Sequence, residues 1–93
     1  MNLLDFIPEG RENAIQAKEL AKLAGYKDTR PITAEIHRLR KSGNIICSVV
    51  EYPHGYFIPA NDHEITEFVR SMHGRINEIS VAVRPAEQHL TER

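Results

Sequence analysis

Ninety-three residues, 41% hydrophobic and 27% charged with a net charge of −1, suit a single soluble globular domain around one modest core. The absence of an eighteen-residue apolar run excludes a membrane-spanning helix, and a lone cysteine, Cys47, excludes an internal disulfide. Near-neutral charge argues against an indiscriminate polyanion binder. MNLLDFIPEG has no basic start and is too short for a secretory signal, and with Cys47 unpaired the expected location is cytoplasmic.

Taken in order, Asn2 to Ile7 predicts a short first helix offering Leu3, Leu4, Phe6 and Ile7 to the core, broken by Pro8-Glu9-Gly10. Ala14 and Ile15 predict a very short strand. Residues 17–24, AKELAKLA, combine strong helix formers with the stripe Ala17, Leu20, Ala21 and Ala24, and Gly25 is a natural end. A third helix follows over about 30–42. Pro31 suits its first turn, where an amide has no partner to lose, and Gly43 suits its stop. At 100° per residue Ile32, Ile36 and Leu39 share one face, while Arg30, Ala34, His37 and Lys41 fall opposite, flanked by Thr33 and Arg38.

Charge singles out the same helix. Residues 27–41 carry Lys27, Arg30, Arg38, Arg40 and Lys41 against Asp28 and Glu35, a balance of +3. Residues 1–26, 42–60 and 61–93 carry −1, −1 and −2.

Beyond Gly43 the period changes. IICSVV at 45–50 is β-branched and apolar, Tyr52-Pro53-His54-Gly55 is turn chemistry, and Tyr56-Phe57-Ile58 is a second strand, so a β-hairpin closed by Pro59 is expected. Asn61 and Glu64 have capping-box spacing and open a long helix from about Asp62 to Val83. Pro85 is expected to end it, leaving 85–93 as a polar tail. Along it Ile65, Val69, Met72, Ile76, Ile79 and Val83 recur at intervals of four and three, a coiled-coil seam, with Phe68 widening its upper part.

This order, three helices, two strands and a long helix, resembles the winged helix-turn-helix family, and especially the small members found in phages and prophages. Ala21-x-x-x-Gly25 matches the family's small residue and turn glycine, while GNIICS at 43–48 and GYFI at 55–58 match its second strand and the rising strand of its wing. Ile32 and Ile36 fall one or two residues late, which implies a longer turn. The resemblance spans residues 2 to about 60. It implies a mainly α fold with a small hairpin (α+β), comprising a winged domain over 1–60 and a C-terminal helix over 61–84. It also implies double-stranded DNA as partner. On the third helix, phosphates would meet Arg30, Arg38 and Lys41, and base edges Thr33, Ala34 and His37, since arginine forks onto phosphate or guanine and small residues admit the groove floor. Thr29, just before the helix, is a further DNA-binding candidate. Tyr52 and His54 are the wing candidates. The tip departs from the family in carrying Glu51 and no permanent cation.

The expected function is transcriptional regulation by a homodimer joined through the last helix. The alternative is a protein-interaction adaptor in phage replication or assembly that leaves DNA alone. Five dispersed histidines, the unpaired Cys47 and scattered glycines offer no catalytic group, metal site, cofactor or small-molecule ligand.

Overall fold

The computed structural model describes residues 2–49, 51 and 54–92. Its first element is a single 3-10 turn, Leu3–Phe6, in place of the expected helix. Asn2 caps it by accepting the Leu4 N–H at 3.2 Å, and Pro8, close behind, leaves no room for a second turn. A further 3-10 turn, Arg11–Asn13, has no counterpart in the sequence reading.

Helix α1 (Ala17–Ala24) ends in the left-handed Gly25, φ 84°. The Tyr26 N–H donates to the Ala21 carbonyl at 2.8 Å and the Gly25 N–H to the Lys22 carbonyl at 3.2 Å, the paired closure that satisfies a helix's last acceptors. Helix α2 (Arg30–Lys41), the basic helix, ends the same way at Gly43, φ 100°, with the Asn44 N–H on the Leu39 carbonyl at 3.1 Å. The five residues between α1 and α2 bring the two helices against each other, and Leu20 and Ala21 of α1 are buried with Ile32, Ile36 and Leu39 of α2. Leu3, Ile7 and Ile46 complete this cluster.

Strands β1 (Cys47–Val49) and β2 (Gly55–Phe57) form the antiparallel hairpin, with Cys47 opposite Phe57 and Val49 opposite Gly55. The expected short strand at Ala14 and Ile15 narrows to one bridge, in which Ile15 and Tyr56 exchange N–H···O bonds of 2.9 and 2.8 Å. Cys47 and Phe57 are buried, and desolvation pushes the Cys47 thiol above its ordinary value, as for a small core hydrophobe.

Helix α3 (Asp62–Thr91) is longer than the sequence predicts. It passes through Pro85 to Thr91, so the boundary at 84 and the separate tail from 85 are corrected. Good helix formers resume at Ala86-Glu87-Gln88, and Val81, whose carbonyl loses its usual donor at Pro85, is 62% exposed and open to water. The first part of α3 packs on β1, with Ile65, Phe68 and Met72 half-buried; every described residue from His73 onward is exposed. The projecting helix gives the chain a radius of gyration of 16.1 Å and a long axis of 52 Å. A compact chain of this length would have a radius near 12 Å. No helix among the described residues is long and apolar enough to cross a membrane.

Candidate nucleic-acid interface

The outer face of α2 is set by its inner one. Because Ile32, Ile36 and Leu39 are buried, the residues on the opposite side of the helix must face solvent, and Arg30, Ala34, His37 and Lys41 are all exposed. Thr33 and Arg38 stand on its two edges. Thr33 lines a cleft shared with Arg40, His54 and Tyr56, on the hairpin side. Arg38 lines a second cleft with Phe6, Tyr26 and Glu35, on the side of the N-terminal turn. All six side chains thus belong to one continuous surface. Thr29 is exposed just before it, its carbonyl accepting the Ile32 and Thr33 N–H groups at 3.0 and 3.1 Å to start the helix.

The cations on this surface are not equivalent. Arg38 donates through its guanidinium fork to both carboxylate oxygens of Glu35, one turn back, its Nε reaching Oε2 at 3.1 Å. This bond holds the Glu35 carboxyl below its ordinary value and the Arg38 guanidinium above its own. Arg30 has Asp28 beside it at 4.0 Å, and the Asp28 carboxylate also accepts the Arg30 N–H at 3.1 Å, forming the turn that leads into the helix. Lys27 and Lys41 enter no ion pair among the described residues.

Arg40 belongs to the interior side. Its Nε and Nη2 both donate to the Ile46 carbonyl, at 2.9 and 2.6 Å, and its guanidinium lies 5.3 Å from the centre of the Phe68 ring. Burial pulls it below the usual arginine value, though it stays charged at neutral pH. It joins α2, α3 and the residue before β1, so one of the five cations counted from the sequence is half-buried and held in place.

The two sides of the hairpin differ in charge. On the α2 side the cleft that holds Thr33 and His54 also receives Met72 and Arg75 from α3. Across the hairpin a third cleft is lined by Glu12, Glu51, Glu64 and Glu67, with Arg11 and His63. Glu51 is thus among the residues that line the acidic side. His54 is exposed and its Nδ1 lies 3.4 Å from the Val49 carbonyl; Tyr52, the other wing candidate, lies outside the described residues.

Sequence reasoning missed Arg75 because periodicity assigns it only to the flank of an apolar seam. It also missed how Glu64 works. The Asn61 side chain accepts the Glu64 N–H at 3.0 Å as expected, but the Glu64 carboxylate takes the Ala60 N–H at 2.9 Å and the Arg11 N–H at 3.0 Å. That second bond, across 53 residues, has no local signature.

The seam residues divide in two. Ile65 and Met72 lie partly covered by their own domain, whereas Val69, Ile76, Ile79 and Val83 are 42, 58, 60 and 41% exposed. Because α3 continues, Ala86 and Leu90 extend the same spacing, and Leu90 is 64% exposed. Pro85 lies off that stripe. Compared with protein-family models, curated proteins and solved structures, the chain matches none.

Proposed function

We propose that this protein is a winged helix-turn-helix regulator of transcription that binds double-stranded DNA, with α2 in the major groove. The observation that carries this reading is the outer face of α2, where Arg30, Ala34, His37 and Lys41 stand exposed and no acidic residue intervenes. A helix of twelve residues, about 18 Å at 1.5 Å per residue, fits the groove. Lys41 is ready to meet phosphate. Arg30 and Arg38 first exchange an exposed carboxylate for one, a small cost because such pairs are weak in water. His37, Ala34 and Thr33 are left to read base edges. The exposed stripe of α3 supports a homodimer, which doubles the phosphate contacts that one subunit offers.

The adaptor reading, in which α2 and α3 bind another protein, is favoured by the carboxylates already beside Arg30 and Arg38. Selection from a random duplex library, followed by a salt titration on the enriched sequence, separates the two. A DNA regulator enriches a motif and loses affinity steeply with salt. Failure to enrich any sequence removes DNA regulation and leaves the adaptor.

A further inference from the structure

We propose that Arg75 of α3 is a second-element phosphate contact, gripping the backbone strand that runs along the hairpin side of α2. The inference rests on the DNA reading of α2 and adds a residue from outside the helix-turn-helix. Arg75 is exposed and enters no ion pair among the described residues. It lines the same cleft as Thr33 at the edge of α2 and His54 at the end of the hairpin loop. Arg40, the α2 cation that also lines that cleft, is fastened to the Ile46 carbonyl and the Phe68 ring and cannot swing out without breaking both contacts. Arg75 thus supplies the mobile cation of a cleft whose other arginine is fixed in place.

The charge pattern fixes the side from which a duplex approaches. The cleft across the hairpin presents Glu12, Glu51, Glu64 and Glu67 and repels phosphate, whereas the Arg75 cleft has no acidic lining among the described residues. A helix seated in the major groove is flanked by two backbones. Arg38 stands on the edge of α2 beside the N-terminal turn, and Arg75 stands across the helix from it. One cation then serves each flank.

The test is binding of the full chain to the selected duplex across a salt series, for the parent, Arg75→Ala, Arg75→Lys and Arg84→Ala. Losing one phosphate contact flattens the dependence of log affinity on log salt by about 0.9, equivalent to about eightfold weaker binding near 0.1 M salt relative to about 1 M. Arg75→Ala should show both changes, Arg75→Lys should restore the slope, and Arg84→Ala should match the parent. Sedimentation of each variant checks that the oligomeric state is held. If Arg75→Ala keeps the parent slope, the inference falls while the DNA reading stands. If the parent itself shows no salt-dependent binding, both fall.

Discussion

At the scale of single residues, side chains that look interchangeable in the sequence do different work. Arg38 and Arg40 sit two positions apart on one helix, yet one faces solvent and the other braces three elements. Arg40→Met should leave the Ile46 carbonyl without its donors and lower stability by about 1–3 kcal/mol, read as a shifted urea midpoint. The salt slope of DNA binding should not move, because this cation does not reach phosphate. Glu64 makes a different prediction. Its two backbone N–H bonds favour the carboxylate and hold it below its ordinary value of 4.5. A depressed folded value means the stabilisation is present above that ordinary range and is lost as pH falls through the folded one. The urea midpoint of the parent should therefore drop below about pH 4.5 more steeply than that of Glu64→Gln, which should already be weaker at neutral pH. Parallel acid limbs for the two proteins would mean that the Ala60 and Arg11 contacts contribute nothing.

At the scale of elements, what was legible in the sequence is what local chemistry decides. The bounds of α1 follow from helix formers ended by a glycine, and the burial of Ile32, Ile36 and Leu39 follows from their spacing alone. The expected hairpin formed, although its strands are shorter than the apolar runs that announced them. Four apolar residues followed closely by Pro8 yield one 3-10 turn, since a helix nucleus is costly and has no length here to recover it. Pro85 misled in the opposite direction, because a proline weakens a helix without forbidding strong formers from resuming beyond it. Of the candidate site, the outer face of α2 was legible. The inward turn of Arg40 and the arrival of Arg75 were not, because both depend on where α3 crosses β1. The hairpin itself rests on a close approach: a Cβ on Gly55 would stand 3.0 Å from the Ala14 Cβ and 3.2 Å from the Ile15 carbonyl oxygen. Gly55→Ala should thus separate β2 from the Ile15 bridge and cost about 1–3 kcal/mol in thermal or urea unfolding. An unchanged midpoint would show that the N-terminal segment gives way freely.

At the scale of the whole molecule, α3 belongs to two structures. Its first turns, through Ile65, Phe68 and Met72, complete the domain that carries the hairpin, and its remainder stands away from that domain with apolar side chains open to water. A 30-residue helix at about 1.5 Å per residue spans about 45 Å, so two such helices could join through their outer halves, beyond the α2 face proposed to meet DNA. Two subunits would then read half-sites about 34 Å apart or a multiple of that. Ile76 and Ile65 test the division, because the same substitution has opposite consequences at the two sites. Ile76 is 58% exposed within one chain, so Ile76→Glu leaves the folded subunit with its new carboxylate in water. Across a paired seam the same carboxylate would be buried on both sides, at a cost of several kcal/mol. Ile65→Glu instead pushes a charge against the protein's own core side and should lower the unfolding midpoint whatever the oligomeric state. We expect sedimentation to give a dimer for the parent and a monomer for Ile76→Glu, with both fully folded by circular dichroism and the variant much weaker on a two-fold operator. A parent that sediments as a monomer at tens of micromolar would remove the dimer from the proposal and leave the outer half of α3 to a different protein.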